Sequence, residues 1–159
     1  MITGYRHTGL VVRNLEKSLA FYEKAFGFTV WKRMVESGPF IETVVGIPGV
    51  VLEWVKLQSP DHALLELMQY HSGSVGDDGG APRASNRLGC SHVAFTVQDI
   101  DNLYDSLIAR RVHCNSPPRQ SPDGMVKVLY CHDPDGIIIE LVEECSKSSA
   151  FIEPDPEIN

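Results

Sequence analysis

Apolar and polar positions follow the same design twice along this chain. In the first half, residues 5–13 read as a strand ending near Asn14, a residue type that caps helix N-termini. Leu15, Leu19, Tyr22 and Phe26 then recur at the spacing of one helix face, and Gly27 supplies the stop. Residues 28–36, about 50–58 and 62–70 read as three strands, separated by turn signals at Gly38-Pro39 and Pro60-Asp61. The second half repeats this order. Residues 88–97 read as a strand, and Asp99 is placed to cap a helix striped by Ile100, Leu103 and Leu107. Short strands are predicted near 112–115, 126–132 and 136–143, with Pro134-Asp135-Gly136 as the turn between the last two.

These patterns give an α+β chain with a first module over residues 1–71 and a second over 88–145. Residues 72–87, rich in Gly, Ser and Asp, read as a linker, and residues 146–159 as a polar tail. Internal similarity of this kind bears on every later reading of the fold.

The repeat extends to chemistry. His7 and His92 each stand seven residues before a helix cap, at Asn14 and Asp99, and Glu66 and Glu140 each lie in the last strand of their half. A strand sends alternate side chains to opposite faces, so His92 shares a face with Ala94 and Thr96. Glu140 likewise lies opposite the apolar face of Ile137, Ile139 and Leu141, and Glu66 opposite Leu65 and Leu67. The apolar faces suit packing under the helices, which leaves the His and Glu faces to line a cavity. A carboxylate in a cavity is costly unless paired, hydrogen-bonded or metal-bound. Two imidazoles and two carboxylates suit one divalent ion, Zn, Ni, Co, Mn or Fe(II), with positions open for water or substrate. His62, His71, His113 and His132 lack this duplication and read as structural or surface residues.

Bulk properties narrow the function classes. The 159 residues suit one domain or two small fused modules. A net charge of −7 argues against nucleic acid, which selects clustered basic surface. No apolar run is long enough to span a membrane, and no basic segment leads into an apolar signal core, so a cytoplasmic location is expected. Cys90, Cys114, Cys131 and Cys145 show no CxxC spacing and are expected to be reduced thiols, with a disulfide only where two of them meet in space.

The chain resembles the vicinal oxygen chelate superfamily, which includes glyoxalase I, methylmalonyl-CoA epimerase, extradiol dioxygenases and bleomycin-resistance proteins. The resemblance runs from Tyr5 to Glu144. It rests on His7, on Leu15-Glu16-Lys17-Ser18-Leu19-Ala20-Phe21-Tyr22 with Phe26-Gly27-Phe28, and on Ser91-His92-Val93-Ala94-Phe95. Asp133-Pro134-Asp135-Gly136 leading to Ile139-Glu140-Leu141 completes it. It implies two paired βαβββ modules forming a cupped, incomplete eight-stranded barrel around a divalent metal held by His7, Glu66, His92 and Glu140. It also implies a homodimer and a small oxygen-rich substrate chelated through vicinal oxygens. Glu140 is then the first choice of general base, with Glu66 as the opposed carboxylate for proton transfer in a lyase, isomerase or epimerase.

Val11 and Tyr70 stand where glyoxalase I has an Arg and an Asn, and Glu66 stands where the epimerase typically has Gln. A fourth ligand would crowd an extradiol Fe(II) dioxygenase, and metal-free drug-binding members usually lack the full set; these are the alternative readings. Glu42 and Glu53 are further acid–base candidates on the other strands of the first half. Arg33, Lys56, Arg87 and Lys127 are candidate cations for an anionic substrate group. For all six, a solvated charge at a sheet edge or loop is the commoner role. Trp54 and Phe40 are candidate pocket aromatics, although aromatic residues in strands more often pack in a core.

Overall fold

A computed structural model describes residues 3–72, 81–82, 84–86 and 89–145. The linker at 73–80, Arg87 and the tail after Cys145 lie outside the described residues. The chain is α+β, and the described residues form two four-stranded sheets and no closed barrel. It divides into two compact units, one made of the chain up to Ser91 together with His132–Ile138, the other of His92–Cys131 and the chain from Ile139.

In the first half, β1 (Thr8–Val11) leads into α1 (Leu15–Phe26), then β2 (Thr29–Ser37), α2 (Pro39–Val45), β3 (Val51–Gln58) and β4 (Leu64–Tyr70). The sheet order is β1-β4-β3-β2, with β1 parallel to β4 and the other pairs antiparallel. The helix α1 is held as its sequence predicts. Asn14 Oδ1 accepts the Lys17 N–H at 2.9 Å, and Gly27 closes the helix in the left-handed region. The Gln69 side chain on β4 takes a second free N–H, that of Leu15, at 2.7 Å. Leu15, Leu19 and Tyr22 on α1 are buried, as are Val55, Leu57, Leu65 and Leu67 on the strands. On the alternate positions, Leu52 and Trp54 form a smaller core with Ile41 and Val50, onto which Val45, Met68 and Tyr70 pack.

The second half comprises β5 (His92–Thr96), α3 (Ile100–Ala109), β6 (Arg119–Gln120), β7 (Val126–His132) and β8 (Ile138–Glu144), in sheet order β5-β8-β7-β6. The expected strand near 112–115 is reduced to an isolated antiparallel bridge between Cys114 and Cys131, and the short edge pairing falls instead at β6. All four cysteines are free thiols. Asp99 does not cap α3 with its side chain; its backbone is left-handed, and its carboxylate accepts from the Asn102 amide at 2.6 Å. Glu143 on β8 accepts the Asp99 and Ile100 N–H groups instead.

The turn between β7 and β8 belongs to the first unit. Asp135 takes the Arg13 guanidinium at 2.9 Å and its backbone N–H at 3.2 Å. Asp133 accepts the Tyr22 hydroxyl at 3.2 Å and, through its other oxygen, the N–H groups of Asp135 and Ile137 at 2.8 and 2.9 Å. Burial pushes the Asp133 carboxyl up to about 6, against the pull of the N–H donors. His132 is buried beside it, with Nδ1 at 3.3 Å from the Gly136 carbonyl, which agrees with a structural role.

Candidate metal centre

Each predicted histidine meets its predicted glutamate. His7 lies one residue before β1, and the parallel register sets Gly9 beside Glu66 on β4, so His7 and Glu66 rise from neighbouring strands on one face. His7 Nε2 is 3.1 Å from Glu66 Oε2, with the side chains 25% and 13% exposed. A β-carbon at Gly9 would press on the Met68 terminal methyl at 2.9 Å and lie in ordinary contact with Glu66 Oε2 at 3.9 Å. In the second half, His92 opens β5 and Glu140 lies on β8, with Nε2 3.0 Å from Oε2. These side chains are 32% and 21% exposed.

The donor set suits a divalent ion. Both pairs stand at hydrogen-bond distance, and the imidazole nitrogen and carboxylate oxygen that meet in each are the atom types that hold a divalent ion. His7 Nδ1 is buried without a hydrogen-bond partner. A metal-ligating histidine normally fixes its ring by donating from the other nitrogen, and here that acceptor is missing. Among the described residues, no group of three or more His, Cys, Asp or Glu side chains is arranged to hold a metal. Each half contributes a pair.

Around the first pair the register adds a cation. Lys56 on β3 stands opposite Glu66, with Nζ 3.6 Å from Oε1 and a side chain only 13% exposed. Its Nζ sits 4.8 Å from the Trp54 ring centroid, and Lys32 Nζ sits 5.7 Å from the same ring. Around the second pair stands Tyr130, whose ring lies 5.4 Å from the His92 ring. Burial pushes the Tyr130 phenol above its ordinary value, and the charge of Glu140 adds to the shift.

The other candidates are engaged elsewhere. Glu53 forms ion pairs with Arg33 and His71, which hold its carboxyl below the usual range; His71 makes the larger contribution. Arg33 also pairs with Glu16 at 2.7 Å, and Lys127 pairs with Asp101. Glu42 and Phe40 lie on α2, not on a strand, and Phe40 is exposed. Trp54 does line the face that carries Glu66, while also serving the small core. Lys32 and Tyr130 had no signal in the sequence pattern, because only strand register reveals which residues face the pairs.

A family description of the Glyoxalase/Bleomycin resistance protein/Dioxygenase superfamily matches residues 4–141. The chain belongs to this superfamily. Over 145 residues it is 30% identical to a lactoylglutathione lyase of Schizosaccharomyces pombe, covering 87% of this chain and 46% of that protein. The chain thus spans about half the length of that relative. It is 28% identical over 142 residues to a probable lactoylglutathione lyase of Synechocystis, covering 89% of this chain and 95% of that one. A glyoxalase family protein from Bacillus cereus superposes with a TM-score of 0.82 at 25% identity, covering 92% of this chain and 97% of that chain. Within this superfamily, the chain is similar to enzymes named as lyases. No helix among the described residues is long and apolar enough to cross a membrane.

Proposed function

We propose that this superfamily member is a metal-dependent, glyoxalase-like lyase or isomerase that moves a proton on a small substrate bearing vicinal oxygens. The observation that carries the reading is the repeated His–Glu contact, 3.1 Å in one half and 3.0 Å in the other, at matching positions of a duplicated frame. His7, Glu66, His92 and Glu140 would hold one divalent ion, Zn, Ni, Co, Mn or Fe(II) by donor chemistry. When bound, that ion supplies Lewis-acid stabilisation of a developing oxyanion. We take the protein to act as a homodimer in the cytoplasm, the homodimer being what the superfamily resemblance implies.

The residues then divide the remaining work. Glu140 takes the proton from one of the two adjacent oxygen-bearing carbons and returns it to the other. Glu66, on the other half, serves as the opposed carboxylate. Tyr130, against the His92 ring, limits the rotation of that imidazole. The similarity to lactoylglutathione lyases supports the lyase–isomerase class, and Val11 and Tyr70 argue for a substrate other than a glutathione adduct.

Metal analysis of protein purified without added metal tests this. Near-stoichiometric divalent ion, lost in His92→Ala with the fold retained by circular dichroism, is the expected result. Protein that binds no divalent ion on reconstitution sinks the proposal, and oxygen uptake with a catechol under Fe(II) would replace it with the dioxygenase.

A further inference from the structure

We propose that Lys56 and Lys32, gathered over the Trp54 indole beside Glu66, form the seat for an anionic group of the substrate, a carboxylate, phosphate or phosphonate. The placement of this seat next to the reacting oxygens rests on the metal-dependent reading above; the binding chemistry does not.

The first argument is elimination. The chain carries a net charge of −7, so an anionic substrate needs local cations. Of the cations the sequence singled out, Arg33 is taken by Glu16 and Glu53, and Lys127 by Asp101. Arg87 lies outside the described residues. Of the three described, Lys56 alone pairs with a His–Glu carboxylate, 3.6 Å from Glu66.

The second argument is the pairing of like charges. Strand register sets Lys32 directly opposite Lys56, and both ammonium groups lie within reach of one indole, at 5.7 and 4.8 Å from its centroid. Like charges directly opposite each other across strands are unfavourable. Glu66 is the one carboxylate paired with either lysine among the described residues, and it also meets His7. Lys56 has the Glu66 carboxylate, and Lys32 adds a second ammonium over the same indole, an excess of positive charge that a second anion would balance. If Glu66 also ligates a divalent ion, that excess grows. The Trp54 face and the low exposure of Lys56 remove water around the seat, which strengthens a charge-assisted contact.

The seat would take one anionic terminus of a bifunctional substrate whose other end carries the vicinal oxygens. Lys56 would then set specificity, and Lys32, exposed on β2, would close over the anion.

The test uses chelator-treated full-length protein and inorganic phosphate as probe, at constant ionic strength balanced with chloride. Binding is read from the Trp54 indole N–H and the β3 amides by NMR. Saturable shifts centred on Trp54 and Lys56 are expected, with affinity at least tenfold weaker in Lys56→Met, weaker to a smaller extent in Lys32→Met, and retained in Lys56→Arg. No saturable shift in the unmodified protein overturns the proposal, as does Lys56→Met binding phosphate as tightly as the original. If Lys56→Met does not fold, Lys32→Met decides: unchanged affinity there overturns the seat. Divalent-ion content is measured separately on the same preparations. Phosphate binding without any metal binding counts against the metal reading and supports the seat; metal binding without phosphate binding does the reverse.

Discussion

Around His7 and Glu66 the first half places the Lys56 ammonium and the Trp54 indole, whereas around His92 and Glu140 the second half places the Tyr130 phenol. The donor atoms and their spacing are nearly the same in both. A duplicated frame has therefore kept its two polar contacts while the neighbouring register positions diverged. The lesson is that the repeat carries the common chemistry, and its departures from symmetry are where substrate choice and division of labour are to be sought.

The largest expected break in that near-symmetry is catalytic. Glu140→Gln keeps the side-chain volume and removes the base, and should lower the rate of deuterium exchange between substrate and solvent by roughly 10²–10⁴-fold. Glu66→Gln should cost less, because Glu140 and not Glu66 takes the proton. Equal losses would mean the two halves act interchangeably, and the asymmetric assignment would be wrong.

Next in size is a feature of the first unit only, the buried Asp133. Its folded-state carboxyl is pushed up to about 6, above the value near 4 of an unfolded chain. The stability this proton contributes is therefore present below about pH 4 and lost as pH rises through about 6. On this basis the site costs on the order of 2 kcal/mol at pH 7.5 relative to pH 4. Urea midpoints of the original protein and Asp133→Asn, taken at pH 5 and pH 7.5, check it. The original should lose more stability than the variant over that interval, and parallel behaviour would remove Asp133 from the account.

The smallest contrast is between helix caps. Asn14→Ala removes a side-chain acceptor from the start of α1 and should cost about 1 kcal/mol. Asp99→Ala should cost measurably less, since Glu143 covers the start of α3. Thermal denaturation of the two variants ranks them, and a larger loss at Asp99 would restore the symmetry of the capping.

Asn14 and Asp99 also show what was legible in the sequence and what was not. Helix α1 follows directly from its stripe, its cap and Gly27, because those signals are local. Asp99 gave the same local signal, but a carboxylate on β8, forty-four residues away, took the capping bonds. Helix α2 had no signal of its own in the sequence, which offered only the Gly38-Pro39 turn between two strands and a strand position for Glu42. It spans seven residues, several of them β-branched, and its helical form is supported by packing of Ile41 and Val45 against Trp54 and its neighbours. The His and Glu pairs were legible because the duplication made each half a control for the other. Lys32 was not: a register irregularity between Val30 and Lys32 resets the strand alternation, so its face cannot be counted from the start of β2.

That irregularity has a consequence for the solubility of the protein. Strand β2 ends its sheet with nine residues, and Val30, Trp31, Met34 and Val35 are all exposed along it. A long apolar edge of this kind is a template on which other chains can add in register. The break beside Trp31 and the charges of Lys32, Arg33 and Glu36 interrupt that template. The same short stretch that brings an ammonium to Trp54 thus also acts as a gatekeeper against aggregation.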